Sequence, residues 1–155
     1  MAESQAPGKT RSRCREIMTT DVRTVSPNTP IKEVAAMMRD SDIGSLPVVE
    51  NGKLLGIVTD RDIVVRSLAE GNEVSSPVSD AMTSDVFSVK PDDFVFEAIR
   101  LMGDKQVRRI PVVKNDGTLA GIIAMADIAL EVEDEREIAE TLEEISSGSA
   151  FWRKK

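Results

Sequence analysis

Residues 46–63 read LPVVENGKLLGIVTDRDI. Leu46 to Val49 and Leu54 to Thr59 are short runs rich in β-branched residues, and between them stands Asn51-Gly52, a strong signal for a tight hairpin. After Thr59 the pattern turns helical from Asp60 to Ala69, with Gly71 placed to end the helix. Residues 110–128 read IPVVKNDGTLAGIIAMADI. The second stretch is the first over again, with one residue added in the turn.

Working outward, the likeness extends well beyond the hairpin. Residues 16–49 laid on 80–113, an offset of 64, are identical at 12 of 34 positions, and residues 52–63 laid on 117–128 at 6 of 12. Met18-Thr19 meets Met82-Thr83, Asp21-Val22 meets Asp85-Val86, and Pro27 meets Pro91. Such order in Met, Pro, Gly and Asp marks a tandem duplication. Each copy reads as β-α-β-β-α. In the first, Val22 to Val25 is a strand candidate, and residues 30–40 set Ile31, Val34, Ala35 and Met38 at helical spacing behind Pro30. The second copy repeats this as Val86 to Val89, Asp93 to Lys105, Ile110 to Val113, Leu119 to Ala124 and a helix from Met125. A copy of some fifty residues buries little surface alone, so the two are expected to pack together.

Composition narrows the chemistry. The 155 residues contain no His, no Tyr and one Cys. That removes the commonest general base and metal ligand, every Ser-His-Asp or Cys-His nucleophile, and a thiolate zinc site. Asp60 and Asp62 stand close in sequence but lack further ligands for a cation. We therefore expect no enzyme, no metal and no required cofactor. The net charge of -7 argues against nucleic-acid binding. No apolar run approaches the roughly 18 residues that cross a bilayer, the N-terminus has no signal-peptide core, and the lone Cys14 forms no internal disulfide. The expectation is a cytoplasmic protein without membrane contact.

The pattern M-T-x-D-V, a helix, L-P-V-V and N-G-x-L-x-G-I-V-T-x-x-D resembles the CBS domain, and the pair resembles a Bateman module of the stand-alone two-CBS type, over about residues 15–130. The resemblance implies a mixed α/β (α+β) fold, two CBS repeats about a pseudo-two-fold axis. It also implies an adenosyl nucleotide (AMP, ADP, ATP or S-adenosylmethionine) as regulatory ligand in the cleft between the repeats. In that family, G-h-h-[ST]-x-x-D supplies the polar groups, here Gly56, Thr59 and Asp62. An Asp at a helix start accepts from a vicinal diol, and nearby backbone N–H groups favour an anion; the other reading of Thr59 and Asp62 is a helix cap. The second copy keeps Asp127 but has Ala124 in place of the hydroxyl. Arg108 and Arg109 stand where family members often place phosphate-binding residues, and the first copy has Gly44 and Ser45 there. The arginines are equally readable as a solvated pair. For the base pocket, the resemblance points to Thr29, Ile31 and Ile43, with Asp93, Val95 and Val107 in the second copy; all six also read as core residues lining a cleft.

The resulting division is a mobile tail at 1–13, repeat one at 14–72, repeat two at 78–130 and an acidic helix and tail at 131–155. Residues 131–144 carry eight acids and one Arg. Ile138, Leu142 and Ile145 form a thin apolar stripe suited to a partner subunit or to solvent. The expected function is a sensor that reports ligand occupancy, as a homodimer, to an unidentified protein partner. The alternative is a dimerisation or scaffold protein with a vestigial pocket, which Ala124 favours.

Overall fold

The computed structural model describes residues 12–131 and 143–145. Residues 1–11 of the expected tail lie outside the described residues, as do Ile138, Leu142 and the terminal Phe151 to Lys155. In chain order the elements are α1 (Cys14–Ile17), α2 (Ile31–Ser41), β1 (Ser45–Glu50), β2 (Lys53–Thr59) and α3 (Asp60–Asp62). A π-helical turn (Ile63–Leu68) and a 3-10 turn (Val78–Asp80) follow, then α4 (Val95–Lys105), β3 (Arg109–Val113), β4 (Leu119–Ala124) and α5 (Met125–Glu131). Among the described residues the result is a mixed helix and strand fold with two small two-stranded sheets, β1 with β2 and β3 with β4.

The chain forms two compact units. Of the described residues, one holds 23–86 with 116–119; the other holds 12–22, 87–115, 120–131 and 143–145. The compact units therefore do not coincide with the sequence repeats: the opening segment of each copy is built into the unit that carries the other copy's hairpin.

In the first unit, β1 and β2 run antiparallel, with Ser45 opposite Thr59 and Glu50 opposite Lys53. Asn51 (φ 54°) and Gly52 (φ 81°) both adopt the left-handed conformation that a tight two-residue hairpin needs. Val25 contributes a single parallel bridge to Val48 rather than the expected strand over Val22 to Val25. Its N–H donates to Pro47 O at 3.0 Å and its carbonyl accepts from Val49 at 2.8 Å. Pro27 leaves too little extended chain for more. Leu46, Val48 and Val58 face inward and meet Ile31, Val34 and Met38 from α2, closing a core that also takes Val78 and Ala81. Beyond β2 the expected single helix divides. After Asp62 the bonds lengthen to five residues, with Ala69 N donating to Val64 O at 2.8 Å and Asn72 N to Ser67 O at 3.0 Å. The crowded Ile63-Val64-Val65 run is stiff at χ1 and a poor α-helix former.

The second unit repeats the plan. Val89 makes one parallel bridge to Val112, so Val86 to Val89 is likewise not a strand. The helix begins at Val95, after Phe94, rather than at Asp93. Its core joins Val95, Ala98, Ile99 and Met102 to Ile110, Val112, Ile123 and Ile128, together with Cys14 from α1. Ile145 packs against this core, and Glu144 lies against the buried Gly103 of α4.

Each sheet gains an edge partner from the segment before the other copy's helix. Thr83 and Ile57 exchange backbone bonds of 2.8 and 2.9 Å, and Thr19 and Ile122 exchange bonds of 2.8 and 3.0 Å. Gly56 and Gly121 lie at these crossings, where the neighbouring backbone leaves no room for a side chain. Among the described residues no helix is long and apolar enough to cross a membrane.

Candidate functional site

In the first unit, Thr59 ends β2 and Asp62 lies one turn on. Their bonds are reciprocal: Asp62 N donates to Thr59 Oγ1 at 3.0 Å, and Thr59 N donates to Asp62 Oδ2 at 3.0 Å. This is a capping box. It fixes the carboxylate through one oxygen and directs Oδ1 elsewhere, to within 3.7 Å of Arg66 Nε. Asp62 is largely enclosed, its side chain 15% exposed.

Gly44 and Ser45 are brought to the same place. Ser45 is the cross-strand partner of Thr59, and Gly44 O accepts from Asp60 N at 2.9 Å. A Cβ on Gly44 would stand 3.2 Å from Asp60 Oδ2, so the Asp60 carboxylate occupies that flank. Ile43 and Ile63 both pack on the core that contains Ile31. Ile31 is only 4% exposed, so packing accounts for most of its surface. Thr29 turns its hydroxyl back on Ser26, whose N–H it accepts at 3.1 Å, while its carbonyl accepts from Val78.

The second unit holds the matching constellation with one part missing. Asp127 Oδ2 accepts from Ala124 N at 3.1 Å. With a methyl at Ala124 the return bond cannot form, so this is half a capping box. Arg108 O accepts from Met125 N at 2.8 Å, as Gly44 does from Asp60, which puts Arg108 and Arg109 beside the strand–helix junction. Both are exposed. Of the companions expected for a base pocket, Val95 is fully buried and Asp93 is committed to Lys90 N at 2.9 Å.

Sequence reasoning passed over Arg66. Its signal was the spacing of four residues from Asp62, the interval at which opposite charges meet on a helix. Among the described residues no group of three or more His, Cys, Asp or Glu is arranged to hold a metal ion.

The molecule is thus a duplicated small domain, each copy presenting a carboxylate held at a strand–helix junction. The CBS domain model matches residues 14–68 and 78–134, and the chain belongs to the CBS-domain family. It is 42% identical over 119 residues to the CBS domain-containing protein YhcV of Bacillus subtilis, covering 77% of this chain and 84% of that one. Among solved structures it is similar to the CBS domain pair of protein MJ0100 in complex with 5'-methylthioadenosine and S-adenosyl-L-methionine (TM-score 0.67, 28% identity, 77% of this chain and 94% of that one). It is also similar to CBSX2 in complex with AMP (TM-score 0.68, 25% identity, 76% of this chain and 93% of that one).

Proposed function

We propose that the chain is a regulatory module that binds an adenosyl ligand, of the AMP, ADP, ATP or S-adenosylmethionine class, and relays occupancy to a protein partner as a homodimer. The observation that carries this reading is the Thr59–Asp62 box. One Asp62 oxygen is fixed by the backbone, and the other remains aimed at the exposed guanidinium of Arg66. A carboxylate held in this way accepts from both hydroxyls of a ribose without having to be ordered on binding. The adenosyl compounds bound by the MJ0100 pair and by CBSX2 support the same ligand class here. Binding acts as a signal only to the extent that the ligand prefers one arrangement of the chain over another. Nothing in the reading calls for turnover: the module binds and releases its ligand unchanged, without a metal or a cofactor of its own.

The test is thermal unfolding against AMP, ADP, ATP, S-adenosylmethionine, GTP and NAD. A ligand at a hundredfold excess over its Kd adds about 2.7 kcal/mol to the native state. A clear upward shift with one adenosyl compound is expected, and a flat panel at millimolar ligand would reject the sensor reading. One observation favours a second reading, a scaffold with a vestigial pocket: Ala124 leaves the second-copy box half made. A flat panel combined with a stable homodimer is the outcome that reading requires.

A further inference from the structure

We infer that Arg66 is the phosphate-contacting residue of the first-copy site, and that the two copies carry their cations on different elements. This rests on the reading of Thr59 and Asp62 as a nucleotide site.

Copy two has Arg108 and Arg109 ahead of its proline strand, where copy one has Gly44 and Ser45. The first-copy flank is not merely uncharged. The Asp60 carboxylate fills it, 3.2 Å from where a Gly44 Cβ would lie, and that repels an anion. Copy two has the apolar Met125 in place of Asp60. A phosphate at the first site needs its counter-charge from another direction, and Arg66 is placed to give it.

The Arg66 guanidinium approaches Asp62 from the helical side. Its Nε stands 3.7 Å from Asp62 Oδ1, a charge contact too long for a hydrogen bond. Nη1 donates to Met82 O at 3.4 Å, a long bond that steadies the group. The side chain is 53% exposed, and the remaining N–H donors point to no other described partner. A planar fork held beside a ribose-binding carboxylate suits the bidentate grip of a phosphate. At the corresponding position, 65 residues on, the second copy has Glu131. The sign of the charge on this helix is thus reversed between copies, opposite to the reversal on the strand. Each copy keeps one basic flank, and the flank differs.

Titration calorimetry with AMP and with adenosine, on wild type, Arg66→Ala and Arg66→Lys, tests the assignment. Arg66→Ala is expected to weaken AMP by about tenfold or more, the usual effect of losing a charge-assisted hydrogen bond, and to leave adenosine within about twofold. Arg66→Lys restores part of the loss for AMP alone. An AMP-to-adenosine affinity ratio that stays unchanged in Arg66→Ala overturns the assignment, whether both affinities fall together or neither moves. A wild type that binds neither compound overturns the Arg66 assignment, and a flat thermal panel beside it overturns the adenosyl reading as well.

Discussion

The carbonyl oxygen of Thr83 occupies the space that a side chain on Gly56 would need, lying 2.6 Å from the ideal Cβ position. Gly121 and the Thr19 carbonyl repeat the relationship at the same 2.6 Å. The obstacle is backbone that is itself bonded to the strand, so it cannot swing aside. Gly56→Ala and Gly121→Ala are each expected to destabilise by about 1–3 kcal/mol, the usual range for overpacking. Urea unfolding of the two variants measures this, and a loss below about 0.5 kcal/mol in both would show that the crossings yield easily.

The Thr59–Asp62 box separates stability from binding. Thr59→Ala and Asp62→Ala each remove one of the two reciprocal bonds, and each should cost about 1 kcal/mol. Under the proposed function, Asp62→Ala also abolishes adenosyl-ligand binding. A variant with normal affinity and only the stability loss would reduce the pair to a helix cap.

Ala124→Thr completes the missing half. Asp127 already accepts from the backbone of residue 124, so a hydroxyl there faces the amide it needs. The expected gain is about 1 kcal/mol in unfolding free energy. The same change should raise the number of bound ligands per chain in calorimetry if the absent hydroxyl is what weakens the second site.

Cys14 provides a pH-dependent mark on the second unit. Burial, then the charges of Asp93 and Glu97, push its thiol up from 9.0 to about 12. Folding therefore favours the protonated form. Its contribution is complete below pH 9, where the unfolded thiol also keeps its proton, and is lost as pH rises from 9 toward 12. Stability of the wild type should fall faster over that window than stability of Cys14→Ala, read as the difference between two unfolding series. Parallel slopes would contradict the shift.

Much of this was legible in the chain. The hairpin residues Asn51 and Gly52, the β-branched runs from Leu46 and Leu54 on either side of them, and the α2 stripe of Ile31, Val34 and Met38 are local patterns, and local patterns survive folding. The Thr59 and Asp62 pairing was readable because its partners are three residues apart. What escaped was mostly non-local. Val25 and Val89 look like strands but make only one bridge each, because Pro27 and Pro91, two residues on, cut the extended chain short. The π-helical turn after Asp62 was invisible, since its apolar pattern fits an α-helix equally well. So was the destination of Met18-Thr19 and Met82-Thr83: the duplication was plain, but nothing in it says which hairpin each segment joins.

That destination has a consequence for heredity. A break in the linker between the copies leaves the first fragment with a hairpin that has lost Thr83, and the second with a hairpin that has lost Thr19. Each half of the gene thus encodes the short segment that pairs with the edge of the other half's sheet, and an unpaired edge invites aggregation. Deleting either copy harms the survivor as well. With residues 18–19 and 82–83 in these places, the duplication is costly to undo.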